Sequence, residues 1–341
     1  MSPLMNDSLR PVLERLLKEA WGVKEGEKIL IITDYPSPED FQTKPISLLE
    51  SIMERNILAK KIGNIIDEMI SNKVDIYFMK PTYEHYKNPV DRKLQEKILN
   101  SDIIITLTEY SLTDVPIITD PLNEKKLRHI SGPQVPPDIF FPGGPLDIDY
   151  YEMEGITTQL YSLVQGARTI EIFDVAGSHL NLEFLYPVDW LWESGFATEK
   201  GMFSNLPAGE ITLMLPYNQR DCKISGTLNI FPGWQDDLTQ LLSLTLNDNR
   251  LVDVVGGGKA GDYLQQLILK EDVRVVQVGI GTNPSAQDPL CPTVADKFIG
   301  MVHIRLEPDA RVEHYYFPLS KMKINDKEYS RTELFNNKEE E

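Results

Sequence analysis

The run KILIIT at residues 28–33 and its counterpart SDIIITLTEYS at 101–111 decide the fold. Each is apolar on both faces of an extended chain. A strand of that kind needs cover on both sides, which a mainly parallel sheet with helices on either face provides. The flanking sequence supplies the helices. SLRPVLERLLKEAW (8–21) carries apolar residues at helical spacing. ISLLESIMERNILAKKIGNIIDEMISN (46–72) reads as one long helix or two short ones, VDIYFMK (74–80) as a strand, and VDRKLQEKILNS (90–101) as a helix. This βαβ rhythm predicts an open α/β domain over residues 1–165.

Beyond that point the pattern changes. TIEIFDVAG (169–177), CKISGTLNIF (222–231), VRVVQVGIG (273–281) and MVHIRLEP (301–308) are short β-type runs broken by Gly, Pro and Asn. One convincing helix, within 261–273, lies among them. Residues 166–330 are therefore expected to form a β-rich α+β domain, followed by a polar tail at 331–341. A length of 341 residues agrees with two domains.

Composition narrows the function. The chain holds 34 basic and 52 acidic residues, a formal charge of −18. That argues against a nucleic-acid partner, whose binding needs a basic surface, and favours neutral or cationic ligands. No run approaches a membrane span, and the N-terminus has no signal-peptide pattern. Two cysteines, Cys222 and Cys291, make no disulfide framework, so a cytoplasmic location is expected. TDYPSPED (33–40), which follows the first strand, has no phosphate-binding glycines; Asp34, Glu39 and Asp40 would repel a pyrophosphate. The triple glycine of VVGGGKAGD (254–262) lacks the Lys-Ser/Thr pair of a nucleotide loop and reads as a turn into a helix.

The five histidines divide unequally. His85 and His129 lie in polar first-domain surroundings and read as surface residues. In MVHIRLEP, alternation puts Val302 and Ile304 on one face and Met301, His303 and Arg305 on the other. His314 and Tyr316 share a face eleven to thirteen residues later, and a turn at 307–311 would bring the two imidazoles together. Two imidazoles with a nearby carboxylate suit a divalent metal, an acid–base role or a purely structural one. Glu210 opens an apolar strand, either as a mere entrance residue or pointing into a cleft. Gln277 interrupts another strand and needs a hydrogen-bonding partner if buried. The GIGTNP turn after it could expose N–H groups to an anion. His179 and Glu183 could reach the same cleft.

Taken in order, GSHLNLEF (177–184), NLPAGE (205–210), KISGTLNI (223–230), VGIGTNP (278–284), GMVHI (300–304) and EHYYF (313–317) resemble the thermophilic-type metal-dependent aminopeptidases, the aminopeptidase T/S family. The resemblance covers roughly residues 165–320. It implies an N-terminal α/β domain, a β-rich C-terminal domain, a homodimer, and a pair of zinc, cobalt or manganese ions that cleave N-terminal amino acids from peptides. A related branch uses one ferrous ion to open a dihydroxypyridine ring. Carried over by position, Glu210, His303 and His314 stand where metal ligands are expected. Tyr316, Gln277 and His179 replace an Asp, a Glu and an Asp of the family pattern.

Losing two anionic ligands removes what offsets repulsion between two dications. Three readings follow. A single divalent metal (zinc, iron, manganese or cobalt) on Glu210, His303 and His314 could hydrolyse an amide or ester of a specialised small-molecule or peptide substrate, with Glu183, Tyr316 or His179 moving the proton. The same ligands could hold iron for ring-cleaving dioxygenase chemistry. Or the scaffold could carry no metal and serve as a binding or accessory protein.

Overall fold

The structure, a computed structural model, describes residues 4–70, 74–89, 91–215, 221–233, 238–287, 291–309 and 314–336. It forms two compact units. The first joins residues 1–150 to Gly195–Ala208; the second comprises Tyr151–Ser194 and residues 209–341. The division expected at residue 165 therefore lies inside the second unit, at the end of the helix Tyr150–Val164.

The first unit is built on a five-stranded, fully parallel sheet in the order Val74–Met79, Ile29–Asp34, Ile103–Leu107, Arg128–Ser131, Phe203–Asn205. All six residues of Ile29–Asp34 are buried, as both-face cover requires. The segment after it is one helix, Ile46–Met69, packed on the sheet. The helix Arg92–Leu99 is started by Asp91, whose carboxylate accepts from the N–H groups of Lys93 and Leu94. The N-terminal helix Leu4–Arg15 runs on into a π-helical turn at Leu16–Ala20. The fifth strand comes from the returning segment Gly195–Ala208, which three residues of strand gave no pattern to reveal.

His129 is a correction. It is fully buried in the strand Arg128–Ser131, its Nε2 lies 3.0 Å from Thr106 Oγ1, and burial pushes its pKa down to about 3. The polar sequence around it suggested a loop, but the strand lies inside a parallel sheet. Arg128 beside it is buried too, donating to the carbonyls of Trp21, Ala197 and Thr198 and pairing with Glu27. His85 is exposed, as expected.

The second unit is dominated by a twelve-stranded antiparallel sheet. One path through it runs Tyr315–Pro318, Met301–Glu307, Arg274–Gly281, Arg250–Gly256, Leu242–Asn247, Cys222–Ile230, His179–Phe184, Thr169–Phe173, Lys321–Ile324, Lys327–Ser330. Arg274–Gly281 forks. Its first residue pairs with Arg250, while Gln277–Gly281 pair with Glu210–Met214, which in turn pairs with Leu191–Glu193. Val302, Ile304 and Leu306 enter the main apolar core with Val278 and Ile280, whereas Met301 packs separately with Ala295 and Tyr316. The alternation read from MVHIRLEP is thus the observed one.

The triple glycine forms a turn, all three at positive φ, into the helix Lys259–Ile268. At the far end, Arg331–Phe335 is not tail. Ser330 and Glu333 make a capping box, and Leu334 and Phe335 are buried in the core; residues 337–341 lie outside the described residues. No described helix is long and apolar enough to cross a membrane.

Candidate metal centre

Three neighbouring strands set the geometry. Glu210 pairs with Gly281, Thr212 and His303 both pair with Gly279, and His303 pairs with Tyr316 across the next strand. Since residues directly opposite and two apart share a face, Glu210, Gly281, Gly279, His303 and Tyr316 all belong to one face. At Gly279 and Gly281 the middle strand presents only hydrogen to that face. A Cβ on Gly279 would lie 2.1 Å from His303 Nε2, and one on Gly281 would lie 2.3 Å from the carbonyl oxygen of Phe298. The two glycines of GIGTNP therefore make the space into which the His303 ring and the segment Asp296–Phe298 settle.

Asn283 holds that segment in place. Its N–H donates to the Lys297 carbonyl at 2.8 Å, and its own carbonyl accepts from Ile299. The N–H of Thr282 donates to the Gly209 carbonyl. The turn expected to offer N–H groups to an anion thus has those of Thr282 and Asn283 engaged with backbone carbonyls. What it delivers instead is a pair of side chains that sequence reasoning missed, Asp296 and Lys297.

Their contacts are close. Asp296 Oδ1 lies 2.9 Å from His314 Nδ1 and accepts a 2.9 Å hydrogen bond from the Tyr316 hydroxyl. The rings of His303 and His314 are 4.6 Å apart between centroids, so the hairpin does bring the imidazoles together, although residues 310–313 of its turn lie outside the described residues. Ligand atoms of Asp296, His303 and His314 all fall within 4.8 Å of one another. Glu210 stands beside this triad, with Oε2 3.6 Å from His303 Nε2 and Oε1 2.5 Å from the Lys297 ammonium. Gln277 finds the partner that its position demanded, its Nε2 3.4 Å from His303 Nε2.

The electrostatics are those of a buried, charge-balanced site. Burial drives the His303 pKa down to about 4, with the nearby carboxylates opposing, so the ring is neutral at pH 7. Burial would raise Asp296, but His314, His303 and Lys297 outweigh it and hold the carboxyl below the usual range. Burial would likewise lower Lys297, yet Glu210, Asp296 and Glu193 keep its pKa above the ordinary value. Two buried atoms, His303 Nδ1 and Glu210 Oε2, have no hydrogen-bond partner.

The remaining sequence candidates lie apart from this cluster. His179 is exposed, stacked on Phe173 with Nε2 3.0 Å from Glu171, and Glu183 is exposed and accepts from Asn181. Their polar and ring contacts run to those residues, not to the triad.

Comparison with known proteins bears on the fold. No protein-family model matches the chain, and no curated protein sequence matches it. Among solved structures, 2,5-dihydroxypyridine dioxygenase from Pseudomonas putida KT2440 is similar over 95% of both chains, with a TM-score of 0.67 and 16% identity. AmpT from Thermus thermophilus is similar over 93% of this chain and 94% of its own, with a TM-score of 0.51 and 9% identity. At these identities the likeness is one of fold. It extends to the first unit, beyond the residues 165–320 that the sequence resemblance covers.

Proposed function

We propose that the chain is a metallohydrolase acting on an amide or ester bond of a specialised substrate, with one divalent cation on Asp296, His303 and His314. The observation that carries the reading is the convergence of one carboxylate and two imidazoles within 4.8 Å at a buried position. The donor set fits such an ion: His303 is held neutral by burial, and its Nδ1 has no protein partner. Bound there, the cation would supply Lewis acidity to a carbonyl oxygen and lower the pKa of a water.

The chain's own groups have distinct tasks. Tyr316 donates to Asp296 and fixes its orientation, as outer hydrogen bonds to ligating carboxylates do. Glu210 offers its free Oε2 as the proton acceptor for an attacking water. Lys297 holds the other oxygen of Glu210 and keeps that side chain aimed at the triad. Compared with the ligand set suggested by sequence, Asp296 takes the carboxylate position and Glu210 becomes the base.

A second reading is favoured by a specific pair of observations. Two imidazoles with one carboxylate also suit ferrous iron and dioxygen, and the dioxygenase has the higher TM-score of the two fold relatives reported above. One experiment separates the readings. Metal-free protein is titrated with zinc, manganese, cobalt and, without air, ferrous ion, alongside Asp296→Asn and His303→Ala. We expect one equivalent bound by the unsubstituted chain and a loss of about 100-fold in affinity in either variant. Metal-dependent release from aminoacyl anilides or esters supports hydrolysis; oxygen uptake with a dihydroxylated aromatic ring supports the second reading. Absence of stoichiometric binding of any of the four ions overturns both and leaves a metal-free scaffold.

A further inference from the structure

The sheet face that carries Glu210 and His303 continues past them. Leu191, Thr212, Gly279, His303 and Tyr316 stand opposite one another on successive strands, in a single row. Met214 lies two residues beyond Thr212, and Leu191 two residues before Glu193, which pairs with Glu210. Period-two alternation therefore puts Leu191 and Met214 on the same face as Glu210. The intervening Ile211 and Leu213 point the other way, into the main apolar core.

This flank is close to the proposed metal ligands. The His303 ring fills the space over Gly279, where a Cβ would meet its Nε2 at 2.1 Å. With neighbouring strands about 4.8 Å apart, Thr212 stands about 5 Å and Leu191 about 10 Å from that point. A substrate carbonyl held there would have its attached group lying over Thr212 and reaching Leu191.

The residues on that path describe the group. Leu191 is 58% exposed and Met214 48%, so each has apolar surface that a ligand could cover. Thr212 between them and Glu210 is only 7% exposed, and among the described residues its Oγ1 has no hydrogen-bond partner. A buried hydroxyl left unpaired is destabilising, and a second molecule that bonds it removes that cost. Charge limits the choice further. The proposed dication and Lys297 together offset Glu193, Glu210 and Asp296, while Leu191 and Met214 add no charge. A substrate ammonium on this flank would lack a counter-ion.

We infer that the group attached to the scissile carbonyl is a neutral, branched apolar chain that lies across Thr212 onto Leu191 and Met214, with the Thr212 hydroxyl donating to the carbonyl oxygen. This rests on the hydrolase reading and narrows it. The substrate is an amide or ester of an apolar acid that carries no free amine.

Hydroxamates report binding without turnover, so the test uses the full chain loaded with zinc and acetohydroxamate, 4-methylpentanohydroxamate and leucine hydroxamate. The last differs from the second only by its amine. Each methylene taken from water is worth about fourfold in affinity, so partial cover of the branched chain should favour 4-methylpentanohydroxamate over acetohydroxamate by about tenfold. The Met214 methyl resonance should shift saturably with it, and leucine hydroxamate should bind no tighter. Leu191→Ser combined with Met214→Ser should reduce the preference to about threefold or less. Thr212→Val should weaken both amine-free probes about fivefold and keep their ratio. Val175→Ser, at an apolar position 87% exposed elsewhere in the same unit, should leave the ratio as it was. Zinc binding is measured first, which separates the two possible failures. If zinc binds but the amine-free probes bind alike, the serine pair keeps the preference, or leucine hydroxamate binds tighter by more than about threefold, the apolar subsite is overturned and the metal reading stands. If no zinc binds, the metal reading fails and the subsite fails with it.

Discussion

A single methyl group at Gly279 would separate the proposed metal centre from the fold that carries it. In Gly279→Ala the new Cβ would stand 2.1 Å from His303 Nε2 and 2.2 Å from Cε1, where ordinary contact begins near 3.4 Å. The ring must therefore retreat by about 1.3 Å, or the strand must bow by a comparable amount. His303 is fully buried, and its strand is pinned on both sides by pairing with Arg274–Gly281 and Tyr315–Pro318. Overpacking of this kind costs about 1–3 kcal/mol of stability, which a domain of this size survives. Metal coordination tolerates about 0.2 Å, several-fold less than the displacement demanded.

The expected result is a folded protein whose zinc affinity has fallen by about 100-fold or more. Stability is read from urea denaturation and affinity from calorimetric titration of the metal-free protein. Val278→Ile serves as the control, because Val278 faces the main core on the opposite side of the same strand. It should show a similar loss of stability and unchanged metal binding. A Gly279→Ala protein that binds zinc within about threefold of the unsubstituted chain would refute the reasoning, since His303 would then not be a ligand in the position seen.

Two further expectations concern buried charge. Lys297→Met leaves Glu210 and Asp296 without their ammonium and should cost about 3–5 kcal/mol, while Lys297→Met with Glu210→Gln should recover a large part of it; strictly additive losses in urea denaturation would show that the pair is not coupled. Asp34, pushed by burial up to about 7 against the Arg55 charge, stays protonated in the folded chain after the unfolded chain has ionised. Its contribution is therefore complete below about pH 4 and declines as pH rises to about 7, by roughly 4 kcal/mol at most. Carbon-detected titration of its carboxyl should show a midpoint near neutrality, and the stability difference between the chain and Asp34→Asn should follow the same curve; a midpoint near 4 would contradict the burial argument.

The parts of the fold that could be read from sequence are those where one residue's surroundings are set by its near neighbours. Residues 29–33 and Ile103–Leu107 announce themselves because every position is apolar or small, and His303 declares its face through Val302 and Ile304. Asp296 and Lys297 give no such sign. In ADKFIG they look like two ordinary loop charges, and only the pairing of Asn283 with the Lys297 backbone, fourteen residues upstream, turns them inward. The fifth parallel strand was hidden for a related reason: Phe203–Asn205 is too short for a period and reaches its place by a return of the chain. His129 misled in the opposite sense, since the polar residues around it belong to a strand whose sheet is covered on both faces. The spacing of glycines in GIGTNP did carry information about the site, but as missing volume and not as exposed N–H groups.

The charges of the candidate centre bear on the one dication proposed for it. Glu193 and Glu210 are paired directly opposite each other across two strands, a like-charge arrangement that is unfavourable without an intervening cation. Lys297 responds to Glu193, Glu210 and Asp296 together. Three carboxylates against one ammonium leave an excess of two negative charges when the imidazoles are neutral, as ligands must be. One divalent ion cancels that excess, whereas a second would reverse it in a buried place where unpaired charge is costly. Loss of the carboxylates expected at positions 277 and 316 therefore does not by itself empty the site. With Lys297 already against Glu210, the remaining charges are those that the single cation proposed above would offset.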